Sequence, residues 1–506
     1  MPDQIDDVVV VGGGDSGLIA ALAIAKMNTG IDVSVVDDFG ADVPQVGKST
    51  FLAIQHILHE NLDIDEQTFV SEVKPVWKAS VYFRDWCGYP AFHYPFDQNR
   101  KFPNPDERDT NEGFYYYYDE LYNSADHQSK CEELVAQGKS PWYFAPREGG
   151  TRKYDNVAYH LNTERFNTFL RDLCLDRGIS LIDDEIVTVD AANDRIQRLR
   201  SRNRAYEADL YVDATGFSRV LKREQSDDFR EFDLPLDTAL NARADCSLKD
   251  VVPATVIDTG EAGWFWQIDT YDNRDRGYVY ASDYLSEAAA REEFVAHCDG
   301  IDADDVVTYE FTSGYHDSAW VENCVAIGNA QGFVEPLQST GLTANAKASV
   351  TLATLLSGHG RVADEAIRDR YNEWVRRTWE SIYDFISVHY GYADGDTEFW
   401  TDVQSLDLSP RTELLIEDFD RHGFDTHVDP VAHSDDHDSL LFFRPLNFYA
   451  LMRNMGATSE FYETHDFEVR EETRRAVESH YGEISDDVAD HYDHYEFYHG
   501  ALGQQF

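Results

Sequence analysis

Residues 7 to 37 constrain this chain more than any other stretch. Asp7-Val8-Val9-Val10-Val11 is a short apolar run of the kind that forms a buried parallel strand, and Gly12-Gly13-Gly14-Asp15-Ser16-Gly17 follows it directly. A helix-forming run from Leu18 to about Met27 comes next, then a second apolar run from Ile31 to Val36 that ends at Asp37. Strand, G-x-G-x-x-G, helix, strand and terminal acid in this order form a dinucleotide-binding arrangement. Gly12 makes the turn, Gly14 admits a pyrophosphate, Gly17 lets helix and strand pack, and Asp37 takes the ribose hydroxyls. An ordinary structural turn is the alternative, and the order and spacing outweigh it. The motif by itself does not choose between FAD and NAD.

Two later pieces favour FAD. Asp209 to Val212 reads as a strand running into Asp213-Ala214-Thr215-Gly216-Phe217, which resembles the second cofactor contact of flavoproteins of the glutathione-reductase type. A third piece runs from Gly328 through Gly332 to Gly341, between an apolar run at Cys324 to Ile327 and a helix-forming run at Leu342 to Leu356. Small residues at a strand-to-helix junction let the backbone approach a ligand. The helix start offers unpaired N–H groups to an anion or the edge of a cofactor ring. No second G-x-G-x-x-G is present, so no NAD(P)H domain is evident, and the flavin has to arrive reduced from another protein.

Charge narrows the partners. Lys+Arg 43 against Asp+Glu 95 gives a net charge of −52 over 506 residues, spread along the whole chain. Nucleic-acid binding needs a basic face, and anionic lipid repels such a surface. The charge points to a salt-filled cytoplasm and a halophilic source, with a basic protein partner as the weaker alternative. The start enters a strand directly, no apolar run reaches membrane-spanning length, and the six cysteines are far apart with no Cys-x-x-Cys. These features predict a reduced, cytoplasmic protein.

Along the rest of the chain, Gly47-Lys48-Ser49-Thr50 is read as opening a helix through about Leu58. Asp65 is read as capping a helix to Val73, and Val76 to Phe83 as one strand with Lys78, Ser80 and Tyr82 on a shared face. On spacing alone Lys78 reads as a surface lysine on an edge strand. Phe114-Tyr115-Tyr116-Tyr117-Tyr118 lies in a loop-rich stretch that reads equally as pocket lining or as a packed insertion. Arg165 to Leu175 reads as an amphipathic helix. Gly263 to Asp269 reads as a strand with Trp264 and Trp266 on one face. Ile367, Tyr371, Trp374, Thr378, Ile382, Phe385 and His389 mark one long helix. His433, His437, His491, His494 and His499 read as residues of solvated polar loops rather than metal ligands.

Together these pieces resemble the flavin-dependent halogenases of the tryptophan-halogenase type. The G-x-G-x-x-G start is Gly12, Gly14 and Gly17; the lysine ahead of a Phe-Arg-x-Trp end is Lys78 before Phe83-Arg84-Asp85-Trp86; the W-x-W-x-I-P signature is Trp264, Trp266 and Ile268. The Gly-Asn-Ala-x-Gly-Phe-x-Glu-Pro-Leu-x-Ser-Thr-Gly element is matched throughout from Gly328 to Gly341. Three positions depart from the pattern: the signature's proline is Asp269, the flavin strap is Gly47-Lys48-Ser49-Thr50-Phe51, and the catalytic glutamate is Gln338.

The resemblance implies an α/β, glutathione-reductase-like FAD-binding fold with a Rossmann core. It places the flavin module at 1–85, 155–225 and 300–358, a substrate region at 86–154 and 226–299, and a mainly helical part at 359–506. It implies FADH2 from a separate reductase, chloride or bromide as co-substrate, a small aromatic substrate, and leaves a homodimer open. FAD would be held by Gly12, Gly14, Gly17, Asp37, Gly47, Ser49, Thr50, Asp213, Gly216, Gly328 and Gly332, and halide by Thr340 and Gly341. Trp264, Trp266, Ile268, Phe333 and Ser339 would line the path of hypohalous acid to Lys78, with Gln338 in the second catalytic position. An FAD monooxygenase that hydroxylates or epoxidises its substrate directly is the alternative, and it gives Lys78 no role.

The charge carries its own prediction. Molar salt shortens the screening length to ~3 Å, so this chain should hold its fold in concentrated KCl and lose it on dialysis into dilute buffer. Circular dichroism across a KCl series checks this; full stability in dilute buffer would remove the halophilic reading.

Overall fold

The computed structural model describes residues 3–41, 46–97, 107–116, 129–145, 150–225, 227–423, 442–464, 469–482 and 484–502. The chain divides into two compact units. The first comprises Met1–Pro75, Leu161–Phe232 and Phe311–Glu380, and the second Val76–His160, Asp233–Glu310 and Ser381–Phe506. The helix expected from Ile367 to His389 is Glu365–Gly391, and the division falls inside it.

Short valine-rich runs make the centre of the first unit. Its six-stranded sheet has the order Ser180–Asp183, Asp32–Asp37, Asp7–Val11, Leu210–Asp213, Cys324–Ala326 and Trp320–Val321. The first five strands are parallel and the last is antiparallel. Strands covered on both faces need no polar alternation, which is why they read as continuous apolar runs. Val9, Val11, Val36, Tyr211 and Leu221 share one buried cluster. Burial of each such side chain contributes ~1.5–3 kcal/mol. The helix Asp15–Met27 is buried along most of its length, from Gly17 to Ile24.

The second unit is built on a seven-stranded sheet, in the order Val307–Glu310, Thr238–Ala244, Arg274–Tyr280, Gly263–Asp269, Ala254–Gly260, Ser80–Asp85 and Phe92–Pro95. Only the pairing of Ala254–Gly260 with Ser80–Asp85 is parallel. Ser286 caps the helix Glu287–His297, whose Ala290 and Phe294, four residues apart on one face, share a buried cluster with Phe265 and Tyr278. Among the described residues no helix is long and apolar enough to cross a membrane.

Three local readings are corrected. Val76 to Phe83 is two strands, Val76–Lys78 and Ser80–Asp85, which join different sheets. Between them the Ala79 N–H leaves the ladder for the Pro253 carbonyl at 2.8 Å. The stretch after Gly47 is a strand, Lys48–Ser49, and helical structure begins only at Ile54, tightening into the π-helical turn His56–Asn61. His491 and His494 are buried rather than solvated, whereas His499 is exposed; His433 and His437 lie outside the described residues. In the aromatic stretch Phe114 and Tyr116 are buried, with Phe114 6.2 Å from the Phe419 ring and the Tyr116 hydroxyl donating to Glu478 at 2.6 Å, so the described part is packed; Tyr117 and Tyr118 lie outside it.

Trp266 lies directly over Gly277, its partner on the neighbouring strand: a Cβ at Gly277 would stand 1.9 Å from the indole. Gly277→Val should therefore force the tryptophan out of place and cost ~1–3 kcal/mol or more. Denaturant unfolding in concentrated KCl checks this, and an unchanged midpoint would contradict it.

Candidate active site

In the first unit three turns meet at the carboxyl ends of the parallel strands, the usual ligand position in open α/β sheets. A Cβ at Gly12, whose φ is +106°, would fall 2.4 Å from the Ala214 carbonyl oxygen, and one at Gly17 would fall 2.0 Å from that of Gly12. A Cβ at Gly328 would lie 3.0 Å from Ser16 Oγ. The first, second and third motifs are thus in mutual contact through glycines. By contrast, a Cβ at Gly14, Gly216 or Gly341 would meet no atom within 4 Å. These glycines face open space, as a cradle that admits FAD must, so the residues present fit the cofactor. Gly332 differs: its Cβ would press on Tyr315 at 2.8 Å and Trp379 at 3.0 Å, so it serves packing.

The acids around the cradle do separate things. Asp37 ends its strand beside Gly13, and burial raises its pKa against the lowering effect of the Gly13 N–H and Arg171. The Asp213 carboxylate is fully engaged within the chain. It accepts from Thr215 N and Oγ1 at 3.0 and 2.6 Å, and from Leu221 N and Lys222 N at 2.8 Å each. Its part is to shape the Thr215–Gly216 turn rather than to reach outward. Lys48, which spacing did not single out, places Nζ 3.3 Å from Asp15 and so offsets the one negative charge inside the glycine turn. Phe51 N donates to Thr343 Oγ1 at 2.9 Å, tying the end of the Gly47–Thr50 strap to the helix Gly341–Gly358.

Before that helix the backbone is strained. Gln338 and Ser339 are both left-handed, with φ of 65° and 58°, and both are buried. Such conformations cost ~1–3 kcal/mol each for residues other than glycine and persist where surrounding structure demands them. Thr340 makes no side-chain capping bond, so the first N–H groups of an 18-residue helix are not capped by it. Phe333 packs edge-on against Phe217 and Phe311 at 5.4 and 5.2 Å.

In the second unit Lys78 is fully buried, which corrects the surface reading. Its Nζ stands 5.3 Å from the Phe96 ring centroid, and burial holds its pKa well below the ordinary lysine value. Ala158 is its cross-strand partner, and His160, two residues on, shares that face. His160 Nδ1 is 3.1 Å from the Asp269 carbonyl and Nε2 is 2.9 Å from Thr255 Oγ1. A carbonyl only accepts, so Nδ1 carries a proton. Burial first, and Lys78 second, push its pKa well down.

Trp264, Trp266 and Ile268 are buried on one strand, with the indole centroids 6.0 Å apart. Trp264 Nε1 donates to Tyr390 and Trp266 Nε1 to Asp275, each at 3.2 Å. Asp269 ends this strand as an anion held by Arg274 Nε at 2.6 Å and Nη2 at 2.9 Å, closing the hairpin.

Residues 7–467 match the family model for tryptophan halogenase. The chain belongs to the tryptophan halogenase family. It is 30% identical over 443 residues to the 7-chloro-L-tryptophan 6-halogenase KtzR of Kutzneria sp. (strain 744), covering 81% of this chain and 84% of the relative. It is 26% identical over 498 residues to the tryptophan 7-halogenase RebH of Lentzea aerocolonigenes, covering 91% and 89%. Among solved structures it is similar to BrvH, a flavin-dependent halogenase from Brevundimonas sp. BAL3, with a TM-score of 0.81, 25% identity and coverage of 98% and 99%.

The α/β flavoprotein fold follows from these likenesses and from the parallel sheet. This family member is a flavin-dependent halogenase that uses FADH2 and a halide. Enzymes of this kind act on an aromatic compound and take reduced flavin from a separate reductase.

A halogenase that buries a lysine to this degree should gain stability by losing it. A depressed folded pKa means the unfolded chain binds the extra proton between that pKa and about 10.4, so unfolding free energy rises with pH across that window. Lys78→Met should raise the melting temperature at pH 7 and flatten that rise while removing activity. Thermal melts from pH 6 to 10 check it; a lower melting temperature at every pH would contradict it.

Proposed function

We propose that this halogenase acts on a small indole- or tryptophan-like aromatic compound and that Lys78 delivers the halogen. The single observation behind this is a fully buried lysine whose amine is shifted toward its neutral form by its surroundings. The activities of KtzR on 7-chloro-L-tryptophan and of RebH on tryptophan support the substrate class.

Bound in its reduced state, FAD supplies the O2 chemistry that converts halide and a proton to hypohalous acid and water. On this reading Gly12, Gly14, Gly17, Asp37, Gly47, Ser49, Thr50, Gly216 and Gly328 hold the cofactor, with Asp213 shaping the turn at Gly216. Lys48 is added to them for the pyrophosphate side, because its charge sits at the glycine turn. Thr340 and Gly341 hold the halide at an uncapped helix start, where backbone N–H groups and the helix dipole favour an anion.

The Lys78 amine then either orients hypohalous acid by a hydrogen bond or attacks its halogen, forming an N–halogen bond as the O–halogen bond breaks and water leaves, and the halogen passes to a ring carbon. A neutral amine is nucleophilic where an ammonium is not. On this reading Trp264 and Trp266 keep the aromatic compound from the flavin, and with Ile268, Phe333 and Ser339 they line the path of hypohalous acid. Gln338 can donate and accept hydrogen bonds but cannot take a proton at neutral pH, so the proton lost from the ring carbon goes to water. The flavin function is assigned to the first unit and the aromatic substrate to the second. A cytoplasmic location accords with six cysteines outside any disulfide, and a homodimer remains part of the proposal.

The test is mass spectrometry of reactions containing FADH2, O2 and bromide over a panel of indoles, phenols and pyrroles. Lys78→Ala and Lys78→Arg should both lose the halogenated product while FAD affinity stays at the wild-type value, since a guanidinium stays protonated. Gln338→Glu should keep or raise the rate by restoring a carboxylate. Halogenation by Lys78→Ala near the wild-type rate, or product loss that tracks flavin loss, would overturn the proposal.

A further inference from the structure

The strand that carries Lys78 is three residues long, Val76–Lys78, and lies at the edge of its sheet. On its inner side it pairs with Ala158–Leu161, where Tyr159 stands opposite Trp77. So short a strand has few ladder bonds with which to hold its own direction, and a buried edge N–H must find an acceptor elsewhere. The Trp77 N–H finds one far along the chain, donating to His494 Nε2 at 3.3 Å.

His494 is built to be that acceptor. It opens the helical turn His494–Glu496, whose capping box is closed by Glu496 N to Asp493 at 2.7 Å and Asp493 N to Glu496 at 3.1 Å. The preceding strand, His491–Asp493, is paired with Lys139–Ala145, and Ser140 Oγ donates to the Tyr492 carbonyl at 2.8 Å. The Trp77 ring sits among Trp142, His494, Phe497 and Tyr498, with centroids 6.0, 5.7, 5.0 and 5.8 Å away. Accepting at Nε2 leaves the ring proton on Nδ1, which has no hydrogen-bond partner among the described residues. Burial lowers the pKa of this imidazole to about 4, so it remains a neutral acceptor at neutral pH.

We propose that His494 is a positioning residue for Lys78: by accepting the Trp77 N–H it fixes the backbone one residue before the lysine, and with it the direction of Nζ. Alternation along the strand puts Trp77 and Lys78 on opposite faces. The aromatic cluster and His494 therefore grip one face and the edge, and leave the lysine's face to the reaction. The inference rests on the reading of Lys78 as the amine that delivers halogen.

Two variants separate packing from hydrogen bonding. His494→Phe keeps a ring against Trp77 and loses the acceptor; His494→Gln keeps an acceptor oxygen near the place of Nε2 and loses the ring. The first readout is hydrogen–deuterium exchange at the Trp77 amide, resolved by fragmentation mass spectrometry in concentrated KCl, which needs no substrate. The second is bromination of indole, phenol and pyrrole with chemically reduced FAD, alongside hypobromite caught by a free thiol.

In His494→Phe, Trp77 exchange should rise roughly tenfold or more. Bromination should fall roughly 10- to 100-fold while hypobromite escapes and FAD affinity holds. His494→Gln should recover both readouts to within about threefold of wild type. Wild-type exchange at Trp77 or wild-type bromination in His494→Phe overturns the inference, as does a Gln variant no better than the Phe variant. If the Phe variant does not fold, protection at Trp77 in the Gln variant decides alone. Lys78→Ala run in parallel keeps the two readings apart: bromination by it ends the reading of Lys78, whereas an inert Lys78→Ala beside a fully active His494→Phe overturns only the role of His494.

Discussion

The contact of Gly12 with Ala214 is the constraint from which the flavin cradle follows. Two parallel strands deliver their turns to one place only because no Cβ stands between them, and a third turn at Gly328 closes on Ser16 in the same way. The Asp213 carboxylate then fixes the second turn from inside, binding the Thr215 hydroxyl and three backbone N–H groups. A buried carboxylate is tolerated here because each oxygen is hydrogen-bonded, the condition under which burial of an anion stops being ruinous. The outward-facing glycines owe their freedom to that rigidity.

The lysine strand obeys the opposite logic. Burying an amine disfavours the ammonium, and desolvation sets the direction of the Lys78 shift. Its titratable neighbour His160 is pushed toward the neutral form by burial first and by Lys78 second, against the Asp269 carbonyl, which favours the protonated ring. Burying an amine in this way lowers stability, because the unfolded chain holds the proton more tightly than the folded one.

The departures from the family pattern have separate physical consequences. Asp269, in the place of proline, makes a bidentate pair with Arg274 and ends the tryptophan strand as a closed hairpin, so the change is absorbed locally. Gln338 is not absorbed in that way. It occupies a left-handed, buried position just ahead of the helix start, where a glutamine can donate and accept hydrogen bonds but cannot take a proton at neutral pH.

Local patterns in the sequence settled many of the elements and the glycine turns. Gly12 and Gly17 are legible because only residues without a Cβ suit those places, and helix Gly341–Gly358 and strand Gly263–Asp269 are legible because their patterns are local. What depended on distant partners was not legible. The break at Ala79 arises because Pro253 supplies a carbonyl, and the proton on His160 Nδ1 is fixed because the Asp269 carbonyl lies beside it. The burial of Lys78 depends in the same way on side chains far away in sequence. Solvation and hydrogen-bond direction are properties of a neighbourhood, and only tertiary structure assembles one.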